Sequence, residues 1–136
     1  MTTSTAKRYT FDSSTYSLAK VEQLIESLKE EHNIPEEIFG NILVATSEGI
    51  NNAIKHGNNF DSDKKVNLFF ELSDKQYIFT ISDNGPGFDY SNVPDPTHPD
   101  NIEKVDGRGI FIMKSLSDEV EFEMEGSKVV LKFVKV

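Results

Sequence analysis

Three short groups of residues in this 136-residue chain have types and spacings that suit chemistry. The first group is Glu48 and Asn52, four residues apart in the segment 35–59, which has a helical pattern. Residues four apart share a helix face, so both side chains can reach one ligand. A carboxylate can polarise an attacking hydroxyl, and a neutral carboxamide can coordinate Mg²⁺ without adding charge. Lys55, one turn further on, can meet a phosphate.

The second group begins at Asp83, directly after a predicted strand, and reads Asp-Asn-Gly-Pro-Gly-Phe. Gly85 and Gly87 allow the backbone to approach a flat ligand closely. The Asp83 carboxylate can accept a hydrogen bond from an exocyclic amine such as that of adenine. This acceptor would select adenine over guanine.

The third group is Gly107-Arg108-Gly109, where an acidic, proline-rich loop gives way to a helical pattern. Glycines at a helix start expose N–H groups and the positive end of the helix dipole to an anion, and Arg108 adds a fixed positive charge. The group therefore suits phosphate. It is neither a Walker A motif nor a dinucleotide-binding fingerprint.

Each group taken alone also has an ordinary structural interpretation. The first can be a solvated helix face, the second a plain turn after a strand, and the third a simple helix start. The adjacent pair Asn51-Asn52 favours a function for the first group, because asparagine is a poor residue for a helix interior.

Composition limits the classes of partner. The chain has 14 basic and 23 acidic residues, a formal charge of −9, which argues against nonspecific binding to nucleic acid or to anionic membranes. Without cysteine it has no disulfide or thiolate metal site, and its three histidines offer no plausible zinc cluster. No signal peptide or membrane-spanning run is evident, so we expect a cytoplasmic protein.

Periodicity places these groups on structural elements. The segment 35–59 predicts a helix with Leu43, Ile50 and Ile54 on its apolar side, beginning at Pro35 and ending at Gly57. Before it we expect a strand over 8–12 and a helix that keeps the 3.6-residue period up to EEHN. After it, the patterns predict the strands VNLFFEL and QYIFTIS, a loop over 90–106, the helix GRGIFIMKSLSD and a hairpin formed by EVEFEM and KVVLKFVKV.

This order of elements predicts an α+β fold, a two-layer sandwich with helices on one face of a mixed, mostly antiparallel sheet. The length and the 37% hydrophobic content fit one domain over residues 1–136, and no internal repeat is visible.

Taken as an ordered set, the three groups resemble the N, G1 and G2 boxes of the GHKL ATPase superfamily, which includes gyrase, Hsp90, histidine kinases and MutL. The strongest resemblance is to the stand-alone bacterial anti-sigma-factor serine/threonine kinases, through SEGINNAIKHGNN, SDNGPGFD and GRGIFIMKSLSDEVEF. It covers about 90% of the chain, from about Ala6 onward, and as a set it is specific.

The resemblance implies a Bergerat fold that binds ATP or ADP with Mg²⁺. Glu48 would be the catalytic base, and Asn52 the Mg²⁺ ligand. Asp83 would accept the adenine amine, and residues 89–106 would form a lid. Further nucleotide contacts would come from Lys55, Gly85, Gly87, Gly107, Arg108, Gly109 and Ser127.

Such kinases typically bind a sigma factor as a homodimer and phosphorylate a serine or threonine of a STAS-domain anti-anti-sigma protein. We therefore expect a protein serine/threonine kinase that acts by partner switching. The alternatives are an ATP-dependent switch or weak ATPase without phosphotransfer, and a non-enzymatic interaction module. Some members of the family carry an arginine just before the glycine box, where this chain has Val105 and Asp106.

Overall fold

A five-stranded antiparallel sheet forms one layer of the protein and three helices form the other. The computed structural model describes residues 5–57, 63–83, 105–123 and 127–135. The strands pair in the order β1-β2-β3-β5-β4, and every pairing is antiparallel. In chain order the elements are β1 Thr5–Asp12, α1 Tyr16–His32, α2 Glu36–Asn52, a π-helical turn Ala53–Gly57, β2 Lys65–Leu72, β3 Gln76–Ser82, α3 Val105–Leu116, β4 Glu119–Glu123 and β5 Lys128–Val134.

The central strands follow the alternation that their sequences predict. In β3, Tyr77, Phe79 and Ile81 are buried and the residues between them are half-buried. Because successive side chains of a strand point to opposite faces, this alternation places one face of β3 against the core. The predicted hairpin between β2 and β3 is confirmed, and its turn is closed by the Ser73 N–H, which donates to the Gln76 carbonyl at 3.0 Å.

Helix α1 packs on the sheet through its apolar stripe. Val21, Ile25 and Leu28, spaced four and three residues apart, are buried. The helix ends at Asn33, which adopts the left-handed conformation (φ 53°) that asparagine tolerates better than most residues. The first predicted helix is therefore confirmed, and β1 is longer than the predicted strand because its pairing with β2 extends back to Thr5.

Helix α2 differs in detail from its prediction. Pro35 is extended (φ −61°, ψ 143°) and precedes the helix, which begins at Glu36. The buried stripe runs through Ile42, Ala45 and Ile50, whereas Leu43 is only half-buried. The buried side of α2 includes the small residues Ala45 and Gly49, which face neighbouring elements, because α2 contacts both the sheet and α3.

Aromatic rings fill the centre of the core. Phe70 on β2, Phe79 on β3 and Phe133 on β5 lie side by side, with ring centroids 5.1 Å and 6.0 Å apart. All three side chains are buried, and burial of each contributes about 1.5 to 3 kcal/mol.

The predicted two-layer α+β sandwich is thus confirmed. The sheet, predicted as mixed and mostly antiparallel, is antiparallel at all four described pairings. Among the described residues, no helix has the length and apolar character needed to cross a membrane.

Candidate functional site

The C-terminal half of α2 carries the first candidate group. Glu48 and Asn52 lie one helical turn apart, and both are half-buried. Gly49, between them, is buried and faces β3 and α3. The pair therefore lies at the edge of the core, where side chains are positioned by packing and still reach solvent.

A π-helical turn follows Asn52, where the sequence predicted a continuing α-helix up to Gly57. The element still ends at Gly57, but over Ala53–Gly57 the backbone widens into a π-turn. The Ala53 N–H is shared between the carbonyls of Gly49 and Ile50, four and three residues earlier in the chain. π-turns are rare and frequent at functional sites. Lys55 lies within this turn, so its angular position relative to Asn52 differs from the α-helical expectation.

The glycine group lies near the start of helix α3, as predicted, but not at its first residue. Helix α3 begins at Val105, which places Gly107, Arg108 and Gly109 in its first two turns. Helix α3 therefore starts two residues before the predicted helix, which began at Gly107. Arg108 is exposed at this end of the helix, whereas Gly109 is buried.

Glu48 and Gly109, sixty-one positions apart in the chain, meet in the structure. A Cβ added at Gly109 would lie 3.1 Å from the Glu48 Oε2 atom, which is closer than most side chains tolerate. The absence of a side chain at Gly109 is therefore what lets the Glu48 carboxylate approach the start of α3. The structure therefore brings one residue of the first candidate group beside one residue of the third.

The second candidate group adjoins Ser127. Asp83 follows the last residue of β3, and its backbone N–H donates to the Ser127 carbonyl at 3.0 Å, which extends the β3–β5 pairing by one residue. Asp83 is half-buried and Ser127 is buried. The family resemblance implies a nucleotide contact for Ser127, and the structure places this residue beside Asp83.

Ile81 links this strand end to α2. It lies two residues before Asp83, is buried, and packs so closely on Gly49 that a Cβ there would overlap Ile81 Cδ1. The same Cβ would lie 3.4 Å from the Met113 sulfur of α3. Strand β3, helix α2 and helix α3 therefore converge around Gly49. Sequence reasoning missed this residue, although a glycine in the interior of an amphipathic helix signals a close contact.

The predicted residues Gly85 and Gly87 lie outside the described residues, as does the proposed lid up to residue 104. Among the other predicted site residues, the structure brings Glu48 beside Gly109 and Asp83 beside Ser127. Asn52, Lys55 and Arg108 remain predicted members of the site.

This arrangement of a helix, a strand end and a glycine-containing helix start matches a known family. The family model described as histidine kinase-like ATPase domain matches residues 11–133. The chain belongs to this family. The resemblance to the GHKL superfamily that the three groups suggested is thereby confirmed.

Curated relatives carry the name serine-protein kinase RsbW. The relative from Staphylococcus epidermidis is 35% identical over 101 residues, which cover 68% of this chain and 64% of that protein. The relative from Staphylococcus aureus strain Newman is 32% identical over 101 residues, which again cover 68% of this chain and 64% of that protein. The chain thus spans about two thirds of the length of these relatives.

A solved structure shares the fold. The crystal structure of the RsbU and RsbW domains of Rv1364c from Mycobacterium tuberculosis superposes with a TM-score of 0.69 and covers 97% of this chain and 33% of that one. The sequence identity is 17%, so this likeness supports the architecture alone.

Proposed function

We propose that this protein is an ATP-dependent serine/threonine protein kinase. The observation that carries the proposal is the contact between the Glu48 carboxylate and Gly109, which joins the Glu48–Asn52 face of α2 to the glycine group of α3. A base, a metal-binding amide and a phosphate-binding helix start then line one site. Membership of the histidine kinase-like ATPase family supports ATP as the phosphate donor. Relatives named serine-protein kinases support a protein hydroxyl group as the phosphate acceptor.

Glu48 is the proposed catalytic base. It would accept the proton of a serine or threonine hydroxyl as the hydroxyl oxygen bonds to the γ-phosphorus of ATP and the bond to ADP breaks. Its half-buried position suits this role, because the carboxylate is positioned by packing and remains accessible to an acceptor.

The donor set fits Mg²⁺. Hard cations prefer oxygen ligands, and the Asn52 carboxamide offers one without adding a charge that would repel a triphosphate. A bound Mg²⁺ would neutralise phosphate charge. Lys55 in the π-turn and Arg108 in the first turns of α3 would provide cationic groups for the phosphates, and Gly107 would add a free backbone N–H of the first turn. Gly109 lies too far into the helix to offer a free N–H, and it would contribute by leaving room for the Glu48 carboxylate.

The adenine would lie at the end of β3. There the Asp83 carboxylate would accept the exocyclic amine, and Ser127, tied to Asp83 through the backbone hydrogen bond, would border the base. Gly85 and Gly87 would shape the pocket. The predicted lid, residues 89–106, is shortened to 89–104 because Val105 and Asp106 belong to α3, and it would cover the nucleotide.

The proposed protein partners are a STAS-domain anti-anti-sigma protein as phosphate acceptor and a sigma factor as the alternative ligand. The support is the similarity to RsbW kinases. In this scheme phosphorylation releases the STAS protein and frees the kinase for the sigma factor. A homodimer is part of the same proposal.

Transfer of radioactive phosphate tests the kinase proposal. The purified protein is incubated with γ-³²P-labelled Mg-ATP and the STAS-domain proteins of its own genome, and Glu48→Gln serves as the inactive control. The proposal predicts label on a serine or threonine of one STAS protein with the parent only. ATP hydrolysis without transfer would overturn the kinase proposal in favour of a switch or weak ATPase, and neither reaction would favour an interaction module.

A further inference from the structure

The exposed side of helix α2 carries no charge over most of its length. Helices α1 and α2 each contain 17 residues, and each has one buried and one exposed side. The charged residues of α1 are spread along the helix, namely Lys20, Glu22, Glu26, Lys29, Glu30 and Glu31. Helix α2 has none between Glu37 and Glu48. The exposed positions of this stretch are Gly40, Asn41 and Val44. Because the outer face of a surface helix is normally charged, the stretch differs from an ordinary solvated face.

Gly40 has no internal reason to be glycine. It lies in the interior of α2, where glycine is the least favourable residue apart from proline. Its φ angle is outside the left-handed region that favours glycine, and an added Cβ would meet no described atom within 4 Å. Neither the backbone conformation nor the packing of the described chain therefore requires glycine here. Glycine also lets a second molecule approach the backbone of a helix closely, and this use remains.

Helix α3 adds an exposed aromatic side chain beside this stretch. Phe111 is 42% exposed, and Val44 on α2 is 43% exposed. Helix α3 begins beside Glu48, near the C-terminal end of α2, and descends from there toward the start of β4, so the two helices are antiparallel. Val44 lies one turn before Glu48, and Phe111 lies two residues after Gly109. Both exposed apolar side chains therefore lie at about the same height on neighbouring helices.

We call the surface that these residues share the outer seam. It consists of Gly40, Asn41 and Val44 of α2 and Phe111, Ile112 and Lys114 of α3. Ile112 is half-buried, and Lys114 is exposed. The outer seam thus combines apolar and small residues with one positive charge, in a chain whose formal charge is −9. A complementary surface would present apolar side chains to the seam and a carboxylate to Lys114.

The position of the outer seam relative to Glu48 indicates what covers it. A stable protein partner covers about 800 Å² of surface, which corresponds to a disc of about 16 Å radius. At 1.5 Å per residue, Val44 lies about 6 Å and Gly40 about 12 Å along the helix axis from Glu48. A protein that presents a hydroxyl group within hydrogen-bond distance of the Glu48 carboxylate therefore covers part of the seam.

We infer that the outer seam is the docking surface for the phosphate-acceptor protein, which meets it with apolar side chains and an acidic group opposite Lys114. The choice of this partner rests on the proposed kinase function. Val44 and Phe111 are the apolar anchors, and Gly40 lets the acceptor approach the backbone of α2.

Binding in the presence of Mg-ADP measures docking apart from transfer, because ADP carries no γ-phosphate to donate. The parent and its variants are titrated by calorimetry with the STAS-domain proteins of the same genome. Gly40→Glu, Val44→Glu and Phe111→Glu each place a charge against an apolar surface and should weaken binding at least about tenfold. Ser27→Glu, at an exposed position of α1, is the control and should bind as the parent does. The affinity for Mg-ATP should stay at the parent value in all four variants.

A methyl group at Gly40 separates docking from stability. Gly40→Ala should raise the midpoint of urea unfolding, because alanine favours a helix interior. The same variant should weaken binding of the STAS protein about threefold or more, because the methyl group keeps the partner from the helix backbone. A position that matters only for folding would show the first change without the second.

The charge of Lys114 affects the rate of docking. Lys114→Ala should lower the association rate constant several-fold at low salt and should reduce its dependence on ionic strength, as expected for a charge at the rim of an interface. Stopped-flow mixing with the STAS protein measures both. An association rate that is unchanged at low salt would overturn the acidic complement of Lys114.

The outcomes distinguish the docking surface from the kinase proposal. Binding that persists at the parent affinity in all the seam variants would overturn the docking surface and leave the kinase proposal intact. Binding that depends on the seam, without phosphate transfer from Mg-ATP, would support the docking surface and overturn the kinase proposal alone. A parent that binds no STAS-domain protein would overturn the inferred docking surface together with the proposed acceptor. Variants that lose self-association and keep the STAS affinity would assign the seam to a second copy of the chain and overturn the inference.

Discussion

Helix α2 carries one glycine in each half, and the space around the two glycines differs. At Gly40, in the N-terminal half, an added Cβ would meet nothing within 4 Å. At Gly49, in the C-terminal half, it would overlap Ile81 and lie against Met113. The Gly40 position of the first half is open, although Ile42 in the same half is buried, whereas Gly49 in the second half is held between β3 and α3.

The difference explains where chemistry is possible on this helix. Glu48 and Asn52 flank the residue of closest packing, so their backbone is fixed by the sheet on one side and by α3 on the other. Catalytic side chains need such positioning, because a displacement of about 1 Å can cost a hundredfold in rate. Carboxylates of the N-terminal half, such as Glu37, are exposed and lack this support.

The largest expected effect is on phosphate transfer. Glu48→Gln should lower the transfer rate by about a hundred- to ten-thousandfold and leave nucleotide affinity nearly unchanged, since a base acts in the transition state. Single-turnover kinetics with labelled ATP measures the rate. Glu37→Gln, in the exposed half of the same helix, is the matched control and should transfer at the parent rate. Equal rates for Glu48→Gln and the parent would remove Glu48 from the role of base.

The next effect is on nucleotide binding. Asp83→Ala removes the proposed acceptor of the adenine amine and should weaken ATP binding by about 1.5 to 3 kcal/mol, or roughly ten- to a hundredfold. Isothermal titration calorimetry gives the affinity. Asp74→Ala, in the turn at the other end of β3, should bind ATP as the parent does. Unchanged affinity for Asp83→Ala would place the adenine elsewhere.

A similar effect on stability is expected from the two glycines. Gly49→Ala and Gly40→Ala gain the same helix propensity. The difference between their free energies of unfolding therefore measures the cost of fitting one extra methyl group at Gly49. Overpacking a core costs about 1 to 3 kcal/mol, and Gly49→Ala should be less stable than Gly40→Ala by that amount. Urea unfolding measures both. Equal stabilities would contradict the close packing of α2 on β3.

The smallest expected effect is a gain in stability. Gly40→Ala should stabilise the protein by about 0.5 to 1 kcal/mol, because alanine favours a helix interior and the position is open. The midpoint of urea unfolding should rise without a change in slope. A loss of stability would show that the N-terminal half of α2 is more constrained than its surroundings indicate.

Much of the fold could be predicted because each element has a strong periodic pattern. The alternation in QYIFTIS and the heptad-like spacing of Val21, Ile25 and Leu28 determine β3 and α1 without tertiary information. The position of β5 between β3 and β4 in the sheet could not be predicted in this way. A hairpin pattern indicates that β4 and β5 pair with each other, but it does not indicate which other strand the hairpin pairs with.

The candidate site is a prediction from residue types and their order, and only part of its geometry could be predicted. Glu48, Asn52 and Asp83 follow from spacing and order along the chain. The π-turn at Ala53–Gly57 could not be predicted, because buried Ala53 and Ile54 fit an α-helical pattern equally well over so short a segment. The contact of Glu48 with Gly109 and the packing of Gly49 on Ile81 depend on how α2, α3 and the sheet meet, which no local pattern contains.

The central claim is that α2, the end of β3 and the start of α3 form a nucleotide site that selects adenine through Asp83. Calorimetric titration of the parent protein with Mg-ATP and, in parallel, with Mg-GTP tests this claim most directly. The predicted result is saturable ATP binding with GTP at least about tenfold weaker, since guanine presents a carbonyl where adenine presents its amine. Equal affinities, or no binding of ATP, would contradict it.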